Sequence, residues 1–263
     1  MALVSFPSSP APYSPEPEDE DDDAAGKMSF LEHLEELRKR IVAALLALVF
    51  GFSVSLFFIN EIFVFIFRPL RQVVPGGKLI YTEPTEAFFL QMKMAALVGL
   101  FIALPVILFQ GWRFVAPGLY AHEKKFAIPF VVFSTFFFIG GALFSHYMVF
   151  PWAWKFFASF STPDMDFLPR IGPVFSLYVR MMLAMGLVFE MPTLVFFLAR
   201  IGLITHRTLI RNIKYAILVI FIVAAVLTPG PDVVSQALMA GPMLVLYVLS
   251  IGIAWVFQKR GDA

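Results

Sequence analysis

The chain has 263 residues, of which 59% are hydrophobic and 15% charged, with a mean hydropathy of +0.81 and a formal net charge of +1. A soluble domain of this length has no way to bury so much apolar surface. Runs of about 20 apolar residues each cross a hydrocarbon core of roughly 30 Å, so the expected class is all-α and polytopic, and the lack of strict alternation excludes a membrane barrel. There is no cysteine, which removes disulfides, thiol catalysis and thiolate metal ligands.

Residues 1–27 read as a disordered tail, proline-rich and then acidic, with seven acids between Glu16 and Asp23. The tail has neither the basic start nor the apolar centre of a signal peptide. The membrane domain is expected over 28–263. It opens with MSFLEHLEELRKRI, where Ser29 and Glu32 have capping-box spacing. Leu31, Leu34, Leu37 and Ile41 form one apolar stripe, and Glu35–Lys39 and Glu36–Arg40 are i,i+4 ion pairs. A self-paired amphipathic helix therefore leads into the first span. Six spans are expected near 41–59, 88–110, 126–150, 174–199, 215–228 and 237–257.

Between spans two and three, GWRFVAPGLYAHEKKF breaks at Pro117-Gly118 and sets one acid, Glu123, among Arg113, Lys124 and Lys125. That acid either neutralises its lysine neighbours or joins Glu36 in an acidic site on a basic face. Such a site selects a guanidinium through bidentate, charge-assisted hydrogen bonds. Trp152 and Trp154 read as interface anchors. Lys93 and Arg180 lie toward the outer ends of their spans, where snorkelling accounts for them. Glu190 stands alone near the middle of the fourth span, where an acid is costly and faces a bundle interior or a watery cavity. The fifth span has only fourteen residues between Lys214 and Pro229, about 21 Å of helix. Either neighbours or thinned lipid shield it, or its basic flank extends it. It joins the sixth through LTPGPDVVSQ, a turn that Asp232 caps.

Thirteen lysines and arginines fall on one side of these spans and five on the other, which places both termini in the cytoplasm. The four histidines are too scattered to suggest a metal, PGGKL at 75–79 lacks the spacing of a phosphate loop, and nothing points to nucleic acid or a cofactor.

HLEELRKRI and FVAPGLYAHEKK, with FRPL, FEMPT and LTPGPDVVSQ, together resemble the TatC family, the large membrane subunit of the twin-arginine protein translocase. The resemblance runs from about 28 to 257. It implies a non-enzymatic receptor and core scaffold for export of folded proteins, driven by the proton-motive force. The implied setting is a multi-pass protein of the bacterial inner membrane, with a concave membrane-embedded face. By similarity Glu36, Arg38, Phe114, Pro117, Leu119 and Glu123 bind the signal peptide, and Glu190 matches a buried acid of the fourth span. Thr228 and Gln236 match a site for single-span TatA- and TatB-type partners. Pro69 and Asp232 match structural positions of the outer and last loops. Hetero- and homo-oligomers in the lipid bilayer are implied. A reading of a different class is a proton-coupled small-molecule transporter centred on Glu190.

Overall fold

No proline interrupts the sequence from Phe30 to Phe57, and these 28 residues form one helix, α1 (Phe30–Phe57). The computed structural model describes residues 30–71, 73, 79–115, 127–162, 168–228 and 233–257. The tail expected at 1–27 and Ser29 of the capping box lie outside them. After a turn at Phe58 comes α2 (Ile59–Arg71), which buries Ile66, Phe67, Pro69 and Leu70. This helix was not expected. Asn60 and Glu61 end the first apolar run, and the apolar residues beyond them are too few to read as a span, so this stretch and Pro69 read as loop although Pro69 packs inside a helix.

The second span is α3 (Glu86–Val115). The third is longer than its sequence suggests. It comprises α4 (Ala127–Phe144), a single π-helical turn at Ser145–Val149 and α5 (Phe150–Ala158). The fourth, α6 (Ile171–Ile201), ends on Gly202, whose φ of 90° lets Leu203 N–H bond back to the Leu198 carbonyl at 2.9 Å. The short helix α7 (His206–Arg211) follows, capped by the Thr205 hydroxyl, then α8 (Ile213–Leu227) and α9 (Val233–Phe257).

Five helical stretches, 33–57, 86–114, 128–158, 171–201 and 233–257, are long and apolar enough to cross a membrane. The fifth span in chain order, α8, has 15 residues, about 22 Å of helix. Asn212 leaves helical geometry at its basic end, so the helix is not extended there. Only Ile220 and Ala224 are buried, so neighbours within the chain cover one narrow face. Among the described residues there is no strand, and the one isolated bridge, Ile80 to Arg170, links the segment before α3 to the segment before α6.

Two antiparallel helix pairs form the frame. Helix α1 packs on α3, and α4 packs on α6, which in turn carries α9 and, through it, α8. Small residues set both registers, as expected where lipid gives helices no hydrophobic drive to associate. A Cβ on Gly51 would run into the Gly99 carbonyl, and one on Gly99 would lie 2.6 Å from the Phe52 nitrogen. Likewise a Cβ on Gly141 would meet the Met185 carbonyl, and one on Gly186 would lie 2.8 Å from the Phe138 ring.

The tryptophan expectation is half corrected. Trp152 is 62% exposed, as an interface anchor should be, but Trp154 is buried against Phe150 and Phe157. Two positions on a helix are about 200° apart, so only one of the two can face lipid.

Candidate functional site

The glycine contact fixes which residues meet where the start of α1 lies beside the end of α3. Fifteen residues back from Gly51 and fifteen on from Gly99 bring Glu36 level with Phe114, and eleven each way bring Arg40 level with Gln110. The observed contacts follow that register. His33 stacks on Phe114 with ring centroids 4.5 Å apart. Arg40 Nη2 donates to Glu36 Oε1 at 2.8 Å, and Arg40 Nη1 makes a long 3.5 Å contact to Gln110 Oε1 across to α3. The two side chains of this ion pair are 15% exposed at Glu36 and 21% at Arg40. Glu36 Oε2 and Arg40 Nε are buried and have no hydrogen-bond partner among the described residues. By contrast, the Glu35–Lys39 pair at 2.9 Å stands in solvent, and Arg38 is exposed beside it.

The structure thus sets Glu36 one helical turn from His33, which stacks on Phe114, and leaves Arg38 on the open flank. Pro117, Leu119 and Glu123 lie outside the described residues, as does Asp232. The participation of His33 and Gln110 was not legible in the sequence. Only the helix register shows that they flank the acid. Trp112 packs with Phe130 and Phe197 of the neighbouring spans.

Glu190 is 6% exposed and sits between α6 and α4. The Ser134 hydroxyl and the Phe138 backbone of α4 are its polar neighbours. Its Oε1 and the Ser134 Oγ are nevertheless buried without a completed hydrogen bond, as is Thr193 Oγ1 one turn further on. Pro192 and Thr193 line an apolar cavity of about 380 Å³ with Phe133, Phe137, Phe196 and Ile253.

At the joint of the last two spans, Thr228 Oγ1 donates to the Ala224 carbonyl at 3.0 Å, closing its own helix. Gln236 Nε2 donates to the Phe221 carbonyl of α8 at 2.8 Å. One polar bond therefore ties the short span to α9. Pro69 is buried in the outer core. Two further features could not be read from the sequence. Glu86 accepts from Thr82 N at 3.1 Å and from Gly172 N at 3.0 Å, so it caps the start of α6 from the start of α3. In the π turn, His146 is buried with its Nδ1 3.0 Å from the Tyr178 hydroxyl and its ring stacked on Phe65. Among the described residues, no group of three or more histidines and acids is placed to hold a metal.

Comparison with known proteins bears on this arrangement. Residues 32–242 match the family described as Sec-independent protein translocase protein (TatC). A protein of that name from Koribacter versatilis is 42% identical over 239 residues, 89% of this chain and 87% of that one. The one from Carboxydothermus hydrogenoformans is 40% identical over 89% of this chain and 95% of its own length. A crystal structure of a twin-arginine translocase receptor, TatC, superposes with a TM-score of 0.73 at 36% identity, covering 85% of this chain and 98% of that chain.

Proposed function

The chain belongs to the TatC family of Sec-independent protein translocase proteins, and on that premise we propose that Glu36 and its neighbours receive the arginines of a twin-arginine signal peptide. The protein is a receptor and core scaffold of a translocase, embedded as a multi-pass helical membrane protein. In our reading both termini face the cytoplasm of a bacterial inner membrane. Lysine and arginine fall thirteen to five in favour of the side that carries Glu36. Glu123 is the second acid of the site, and Arg38, Phe114, Pro117 and Leu119 shape it. Thr228 and Gln236 mark where single-span TatA- or TatB-type subunits dock beside α8 and α9, in hetero- and homo-oligomers. The protein carries out no enzymatic chemistry, and the proton-motive force drives transport.

The observation that carries this proposal is a half-buried carboxylate held at the inner ends of two locked helices, on the basic face of the chain. A carboxylate there binds a guanidinium bidentately in partial shelter from water. The small-molecule transporter reading gains nothing from the structure or the comparisons: Glu190 is packed between two spans.

Replacing Glu36 and Glu123 by alanine, singly and together, tests the proposal. The measurement is binding of an Arg-Arg signal peptide and its Lys-Lys version to the purified protein in nanodiscs. The double variant should lose the preference for arginine. Binding equal to the parent would show that the site is misassigned.

A further inference from the structure

We propose that Arg40 is an internal stand-in for a signal-peptide arginine, so that ligand binding at Glu36 is an exchange of one guanidinium for another. The proposal rests on Glu36 being the arginine-reading acid.

In the structure Glu36 does not offer an incoming ligand both of its oxygens. Oε1 accepts from Arg40 at 2.8 Å, and Oε2 is buried with no partner among the described residues. A bidentate grip by a second arginine on the unchanged site is therefore closed off, and something has to move. The group free to move is Arg40. Its guanidinium is held by one short bond to Glu36 and one long 3.5 Å contact to Gln110, and its Nε has no acceptor among the described residues. A ligand arginine able to grip both carboxylate oxygens satisfies Oε2, which Arg40 leaves without a partner. That gives the ligand a hydrogen bond that the resident side chain lacks.

Exchange also has an electrostatic logic. Stripping a partner from a sheltered carboxylate leaves an uncompensated charge, which costs more than the pair contributes. Passing the carboxylate from one guanidinium to another keeps it neutralised throughout. Lys39 differs in kind. It pairs with Glu35 in solvent and shields nothing.

Competition of this sort lowers the affinity for every ligand by the same factor, because each has to displace the same resident group. Arg40 therefore sets a threshold, while the choice of arginine over lysine is made by Glu36 itself. Weak cationic segments fall below the threshold and are not retained.

The test uses the full chain in nanodiscs at fixed ionic strength and a fluorescent peptide with an Arg-Arg pair before an apolar segment. Arg40→Gln should tighten binding roughly two- to fivefold, the range expected for releasing a partly exposed ion pair. Lys39→Gln removes the same charge one residue away and should tighten it less. Gln110→Leu, which changes no charge, should give a smaller gain in the same direction. The Lys-Lys peptide should gain by the same factor as the Arg-Arg peptide. The proposal is overturned if Arg40→Gln binds no tighter than Lys39→Gln, or if the gain is confined to one peptide. Glu36→Gln separates the two levels. If it binds the peptide as well as the parent does, the assignment of the site fails, whatever Arg40 does.

Discussion

Replacing Gly141 by alanine adds one methyl group where α4 and α6 touch backbone to backbone. Its new Cβ would meet the Met185 carbonyl and lie 2.8 Å from the Phe189 Cβ, so the helices have to part. The preceding residue, Gly140, has nothing within 4 Å of the equivalent position. In water, alanine in a helix interior is favoured over glycine by about 0.5–1 kcal/mol. In lipid this term shrinks, because the separated helices remain helical. It is closely similar for two adjacent residues of one helix and cancels between the variants. What remains is overpacking, about 1–3 kcal/mol. Gly141→Ala should therefore be less stable than Gly140→Ala by about that amount, while Gly140→Ala should match or exceed the parent. Reversible unfolding in mixed micelles, followed by circular dichroism and tryptophan fluorescence, measures the difference. Equal stability of the two variants would refute the idea that glycine contacts hold this pair in register.

Three further outcomes follow from contacts described above. Tyr178→Phe strips the hydroxyl from buried His146 and should cost about 1–3 kcal/mol in the same unfolding assay, the penalty for orphaning a buried polar group. Glu86→Gln leaves one acceptor for two backbone N–H groups. It should lower the melting temperature and speed amide exchange at the first turn of α6, with no change in peptide binding at the opposite face. Gln236→Leu removes the bond to the Phe221 carbonyl. At about 0.6 kcal/mol for a polar contact between membrane helices, it should loosen α8 measurably by hydrogen exchange and leave the other helices as they were.

Much of this was legible in the sequence, for identifiable reasons. Long apolar runs have to cross or be covered, so the spans emerge from composition, and α8 is as short as Lys214 and Pro229 indicate. Both expected ion pairs form, because i,i+4 spacing on a helix needs no tertiary information. Glu190 stands out because it is a lone acid in an apolar run, and it is indeed buried. What the sequence withheld depends on partners. A glycine in a helix says nothing about which neighbour it admits, so the Gly51–Gly99 contact could not be read, nor could the meeting of Arg40 with Gln110. Trp154 could not be told from Trp152 without knowing which face of α5 turns inward. Glu86 looks like one more surface acid until α6 arrives beneath it.

The crossing of α1 and α3 has a mechanical consequence. Backbone rests on backbone at Gly51 and Gly99, with no side chain between them to deform, so the two helices meet at a hard point and act as a pair of levers. Each inner arm, from Gly51 to Glu36 and from Gly99 to Phe114, is about 22 Å long, whereas α1 reaches only about 9 Å beyond its glycine to Phe57. A displacement that parts the Glu36 and Phe114 ends about this point therefore moves the Phe57 end of α1 by less than half as much, in the opposite sense, next to the turn that starts α2.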